Sequence, residues 1–223
     1  MNAFPIPAGG ARPLFGARQW QEAPFEAPHA GRLRIGVDGS VMAGAVPTLL
    51  RQLHTDFPAL RWSLHEANAL AQFSALCERK IDVGIWRGHP NDAALLLRNH
   101  LCQQLYVREE TALALPRGHR LTRRNSIGMS DIADESLLAL PADSLPTLMA
   151  MVGSGIGLAL VPSSTASIVF PNVAVRRLRD ASSTNLYLTH RMDAKAGAIE
   201  AFLEVLNKER GVSPFLAYPI CPA

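Results

Sequence analysis

Three observations predict an α/β fold for this chain. Between Leu33 and Ile85, short apolar segments alternate one for one with amphipathic helical stretches. Single helices between successive strands imply parallel pairing, with the helices covering the sheet faces. At 223 residues, 48% of them apolar, the chain is long enough for one full core or for two small lobes sharing a hinge.

The elements follow in order. Residues 1–30 hold five prolines (Pro5, Pro7, Pro13, Pro24, Pro28) and three glycines. Prolines at that density stop a helix longer than about two turns, so the segment reads as an irregular tail with no room for a three-helix DNA-binding head. Leu33–Val37 is a strand, and Asp38, Gly39 and Ser40 form a turn. Val46, Leu49, Leu50, Leu53 and Phe57 then recur at helical spacing until Pro58 stops the helix. Leu60, Trp62 and Leu64 alternate as a half-buried strand should. Leu70, Phe73, Leu76 and Cys77 mark a second helix with Asn68 as its cap, and Ile81–Ile85 is a third strand.

The second half is less regular. Leu105–Val107 and Ala112–Leu115 read as extended segments able to cross between lobes. Ser130–Asp131 opens a short helix and Leu137–Leu140 is a strand. Leu145–Val152 is a helix ended by glycine, Gly157–Val161 a strand and Ser163–Phe170 a serine-capped helix. Val173–Leu178 and Leu186–Thr189 are strands, and Ile199–Asn207 carries a closing helical stripe.

Composition excludes several function classes. The formal charge is only +3 despite a pI near 9.0, and the basic residues are scattered. A dedicated nucleic-acid binder concentrates them on one element, so Arg120, Arg123 and Arg124 read as a solvated loop. No apolar run reaches the roughly 18–20 residues that cross a membrane. There is no charged leader followed by an apolar core. Cys77, Cys102 and Cys221 lack CxxC spacing, which predicts free thiols in a reducing compartment and hence a cytoplasmic protein.

Motifs for chemistry are sparse. The turn at Asp38, Gly39 and Ser40 leads into a helix, and a helix N-terminus offers N–H groups and positive potential to an anion. A plain serine N-cap accounts for the same residues. Gly153, Gly155 and Gly157 follow a helix and precede a strand. That is the reverse of a dinucleotide fingerprint, and it reads as a helix end with a tight turn. The histidines (His29, His54, His65, His89, His100, His119, His190) show no HxH or HExxH spacing, so no metal site and no cofactor is expected. Without a GxSxG elbow, P-loop or SxxK, only Ser40 and Ser163 speak for an enzyme, and neither has an identifiable base.

Taken together, the residues resemble the effector-binding domain of LysR-type transcriptional regulators. The resemblance runs over about Gly31 to Leu206. It is carried by the strand and serine turn RIGVDGS, by the Val46–Pro47 step, by Phe57–Pro58, and by QFSAL leading to IDVGI. ALALPRGHRL, DIADESLLALP and GSGIGLALVPSSTASI follow in family order. The match is closest to the branch that controls catechol and benzoate degradation. It implies a periplasmic-binding-protein-like fold of type 2: two Rossmann-like lobes with two crossovers. Lobe I would hold 31–107 and 184–210, lobe II 108–183, with 1–30 and 211–223 as tails.

The effector implied is a small muconate- or benzoate-like carboxylate held between the lobes. Gly39, Ser40 and Val41 fall on the motif position that holds a carboxylate. Ala69 falls where relatives often carry threonine, and Arg98 near a position that lines a secondary aromatic-acid pocket. Two departures shape the expectation further. The winged helix-turn-helix of the family has no counterpart in 1–30, so DNA would be reached only indirectly, through homo-oligomers or pairing with intact regulator subunits. Between Pro141 and Leu145 about one βα unit is missing, which truncates the second lobe and implies weak effector binding. A stand-alone carboxylate-binding protein and a non-functional remnant share these features.

Overall fold

The computed structural model describes residues 31–88, 93–124, 126–138, 144–194 and 197–210. The chain builds two α/β sheets. The first has the order β2-β1-β3-β9-β4, from β1 (Arg32–Val37), β2 (Arg61–Glu66), β3 (Val83–Arg87), β4 (Leu101–Glu109) and β9 (Thr184–Arg191). Strand β1 pairs in parallel with β2 and β3, while β9 runs antiparallel between β3 and β4. The parallel trio is the part that sequence periodicity predicts.

Alternation sorts the two faces of this sheet. Leu33, Ile35 and Val37 are buried with Val46, Leu49, Leu50 and Leu53 of α1 (Ala45–Asp56) and with Phe202 and Val205 of α5 (Gly197–Arg210). The apolar side chains of α1 recur at i, i+3, i+4 and i+7, so one stripe meets the strands. The other face holds Leu76 of α2 (Ala69–Cys77), Leu96 of α3 (Ala93–Arg98), Ile81, Trp86 and Leu101. Gln72 is fully buried there. Its Oε1 accepts from the Ile85 N–H at 2.9 Å and its Nε2 donates to the Ala67 carbonyl at 2.7 Å. Gly36 and Gly84, paired in register, leave room for that amide: a Cβ on Gly36 would lie 2.9 Å from Gln72 Oε1.

The second sheet has the order β6-β8-β5-β7, from β5 (Thr111–Pro116), β6 (Ile127–Gly128), β7 (Ala159–Pro162) and β8 (Val173–Arg179). Helix α4 (Leu145–Gly153) packs Leu145, Met149 and Val152 on Ala112, Ala114 and Val161. Leu113, Leu115, Leu121, Ile127 and Leu178 fill the opposite face. Two crossovers join the sheets, from Glu109 to Thr111 and from Arg179 to Thr184. They touch each other, since Thr111 Oγ1 donates to the Ser182 carbonyl at 2.5 Å.

Several expectations change. Ser163–Phe170 is a 3-10 turn over Ser163–Ser167 and no α-helix. The short helix at Ser130–Asp131 is likewise 3-10, over Met129–Ile132. Leu137 makes an isolated parallel bridge to Leu158, and the rest of that expected strand, with the Pro141 junction, lies outside the described residues, as do both tails. Helix α3 was not expected, because its short run of alanine and leucine shows no stripe. The glycines 153–157 do end a helix: α4 stops at Gly153, and Gly155 takes φ +79°. Cys102 is disulfide-bonded, which corrects the expectation of three free thiols. Cys77 is free and exposed.

One ion pair ties β1 to the start of β3. Arg34 donates to Asp82 through Nε at 3.0 Å and Nη2 at 2.8 Å. Burial alone would raise the Asp82 carboxyl, but Arg34, with Arg191 behind it, holds it below the usual aspartate range. A depressed carboxyl stabilises the fold above its ordinary pKa, and the benefit disappears as pH falls through the folded value. Asp82→Asn is therefore expected to lose about 1.5–3 kcal/mol at neutral pH, the range of a charged hydrogen bond. The gap from wild type should close as pH drops below about 4. Urea midpoints across a pH series measure both.

Candidate functional site

Parallel strands end at one edge of a sheet, and in open α/β folds ligands bind outside those carboxyl ends. Here β1 leads into Asp38, Gly39 and Ser40, β2 ends at Glu66 just before Ala69 opens α2, and β3 ends in Arg87. The register Val37↔Glu66 and Val37↔Ile85 brings the three to the same edge. Asp38 caps a 3-10 turn over Gly39–Ala43, and its carboxylate accepts the Ser40 N–H at 2.8 Å. The Val41 N–H donates to the Asp38 carbonyl at 3.0 Å, and the Val41 side chain is fully buried. Two of the N–H groups expected to face an anion are thus used within the turn. The Ser40 hydroxyl remains the donor that a ligand can use. A Cβ on Gly39 would lie 2.5 Å from Glu66 Oε1, the tip of an exposed side chain that can move aside.

Across this edge stands the 3-10 turn of the second lobe. Ser167 Oγ donates to the Ala43 carbonyl at 2.8 Å, and the Ser163 N–H to the Glu110 carbonyl at 2.9 Å. A Cβ on Gly44 would lie 3.1 Å from both Glu109 Oε1 and Ser164 Oγ, so these three groups share one junction. Arg87 and Glu109 form an ion pair there, each side chain only 11% exposed. All three guanidinium nitrogens of Arg87 are buried and satisfy no hydrogen-bond geometry. The same holds for Ser164 Oγ and Thr165 Oγ1. Buried polar atoms are normally paired, so their concentration between the lobes sets this junction apart from the apolar cores on either side.

The site residues expected from sequence divide into two groups. Gly39, Ser40, Val41 and Ala69 share the junction edge, with Ala69 half-buried at the start of α2 and offering no hydroxyl. Arg98 is not brought to them. It is exposed at the end of α3, just before β4 begins at the level of Asp82 and His190, the opposite edge of the sheet. The arginine at the junction is Arg87, which sequence reasoning missed. Its signal was available, as a charge ending an otherwise buried parallel strand. Glu109 and Thr165 gave no such signal.

In chemical terms the junction offers the Ser40 hydroxyl on one side and an Arg87 cation already paired with Glu109 on the other. It supplies no nucleophile with a base beside it. The Ser–His contact at Ser63 Oγ and His65 Nε2, 3.1 Å, lies along one strand on the outer sheet face. Among the described residues, no group of three His, Cys, Asp or Glu stands together to hold a metal ion, and no helix is long and apolar enough to cross a membrane.

Two α/β sheets, two crossovers and a polar junction at the strand carboxyl ends define a two-lobed small-ligand-binding domain of the type 2 periplasmic-binding-protein-like class. Residues 26–144 match the LysR substrate binding domain, and the chain belongs to that family. It is 25% identical over 205 residues to the HTH-type transcriptional regulator AlsR of Bacillus subtilis (strain 168), covering 79% of this chain and 66% of AlsR. Against the HTH-type transcriptional regulator BenM of Acinetobacter baylyi the identity is 27% over 209 residues, with 79% and 66% covered. The chain thus spans about two thirds of the length of these curated relatives. In fold it is similar to a BenM effector binding domain variant, at TM-score 0.71 and 25% identity, covering 86% of this chain and 99% of that one. The BenM effector binding domain with its effector benzoate superposes at TM-score 0.68 and 24% identity, covering 83% and 94%.

Proposed function

We propose that this domain senses a small aromatic-derived carboxylate, benzoate- or muconate-like, in the cleft between its lobes and thereby controls transcription without turning the ligand over. The observation that supports it most is the junction itself, where the serine turn of the first lobe meets the buried polar side chains Ser164 and Thr165 of the second, beside the Arg87–Glu109 ion pair. Family membership and the benzoate bound by the BenM domain narrow the ligand class. Gly39, Ser40 and Val41 would form the carboxylate end of the site, and Ala69 would line it without a polar contact.

Lobe I is taken as 31–107 with 184–210, and lobe II as 108–183. Ligand bound across the junction favours one lobe arrangement by its differential affinity, and oligomer contacts would carry that shift to DNA-binding units in a cytoplasmic regulator. Homo-oligomers and mixed oligomers with other regulator subunits both fit this reading.

Calorimetric titration of the full chain with benzoate tests it. Weak, saturable binding is expected, and Ser40→Ala should lower affinity about tenfold, the loss of roughly one charge-assisted hydrogen bond. No saturable binding by the unaltered chain, or equal affinity in Ser40→Ala, overturns it.

A further inference from the structure

Beside the crossovers, the lobes are tied by contacts that use protein atoms alone. The turn Ser163–Ser167 is fixed at its start, where the Ser163 N–H donates to the Glu110 carbonyl at 2.9 Å. Its end reaches the first lobe, where Ser167 Oγ stands 2.8 Å from the Ala43 carbonyl. Ala43 closes the turn Gly39–Ala43 that carries Ser40. The same Ser167 hydroxyl also lies 2.8 Å from the Ser164 carbonyl of its own turn. A hydroxyl has one proton to donate, so the two carbonyls compete for it. Swinging from Ala43 to Ser164 releases the first lobe without stranding the donor. The carbonyl left behind belongs to a half-buried residue at the mouth of the junction, within reach of water.

Gly44 makes the fit close. It follows Ala43 and caps the start of α1. A Cβ there would lie 3.1 Å from both Cβ and Oγ of Ser164 in the facing lobe. Ser164 Cβ is held by its backbone and cannot swing aside as the end of a long side chain does. A side chain at position 44 therefore pushes the second lobe back by a few tenths of an ångström, which draws Ser167 away from Ala43.

We propose that Ser167 and Gly44 form a reversible latch, which holds the two lobes together without ligand and whose release opens the cleft. The net contribution of one such hydrogen bond is small, so the latch biases a population of lobe arrangements and does not lock it. Its action does not depend on which ligand the junction takes.

Hydrogen–deuterium exchange of the full chain without ligand provides the test. Ser167→Ala removes the donor at an exposed position and leaves both cores untouched. It should speed exchange about threefold or more across the cleft, in the Asp38–Gly44 segment of the first lobe. Ser167→Thr keeps the hydroxyl and should stay within about twofold of the unaltered chain. Gly44→Ala probes the same contact from the other side, and should speed exchange about threefold or more in the Ser163–Ser167 turn. The amides of β1 and β5, one strand from each core, should be unchanged in all three variants. Faster exchange only in the lobe that carries the substitution overturns the proposal, and so does no change at all. Equal acceleration in Ser167→Ala and Ser167→Thr overturns it too, as does acceleration that spreads to β1 and β5. No benzoate is present, so the outcome is independent of the effector titration.

Discussion

Glu109→Ala is expected to destabilise the protein by about 3–5 kcal/mol, because it leaves the largely buried Arg87 guanidinium without its counter-charge. Both side chains are only 11% exposed, and no other carboxylate pairs with Arg87 among the described residues. The attraction of such a pair roughly offsets the cost of desolvating it, so removing both charges is far gentler than removing one. The double variant Arg87→Met, Glu109→Leu should accordingly recover most of the stability lost in Glu109→Ala. It should still bind benzoate more weakly than the unaltered chain, since the cation is gone. Urea denaturation of the two variants gives the first comparison and calorimetry the second. A single variant as stable as wild type would show that Arg87 is solvated and would remove it from the account of the site.

Phe202→Ala should be comparably costly, at about 3–5 kcal/mol, the range for deleting a buried aromatic side chain. Phe202 is fully buried on α5, where the returning chain closes the first sheet against Leu33, Ile35, Val37, Leu49 and Leu53. Those neighbours come from β1 and α1, more than 140 residues earlier, so the cavity would open between segments that only the fold brings together. Leu203, one step round the same helix and only partly buried, should cost less than half as much when cut to alanine. Equal costs for the two substitutions would mean that α5 is docked differently.

These two residues also show where sequence reading reaches and where it stops. The unit from β1 through β3 was legible because each element has a clean period: alternation in Leu33–Val37, a 3.6-residue stripe in α1, a capping asparagine before α2. The serine turn was legible for the same reason, since a small polar turn between strand and helix is a local pattern. Helix α3 was not, because its leucines are adjacent and only Leu96 is buried. Strand β4 was read as a fragment, because a register shift between Leu105 and Val107 interrupts its alternation. The Ser163–Ser167 turn has the composition of a capped helix and stops after five residues. Arg87 with Glu109 and Ser164 against Gly44 are contacts between distant segments, for which local periodicity carries no information.

The central claim is that ligand is held jointly by the two lobes at the Ser40 junction. Hydrogen–deuterium exchange of the full chain with and without saturating benzoate tests it most directly. The account predicts slowed exchange in two segments together, the Asp38–Ala43 turn of the first lobe and the Ser163–Ser167 turn of the second. Protection confined to one lobe would contradict it.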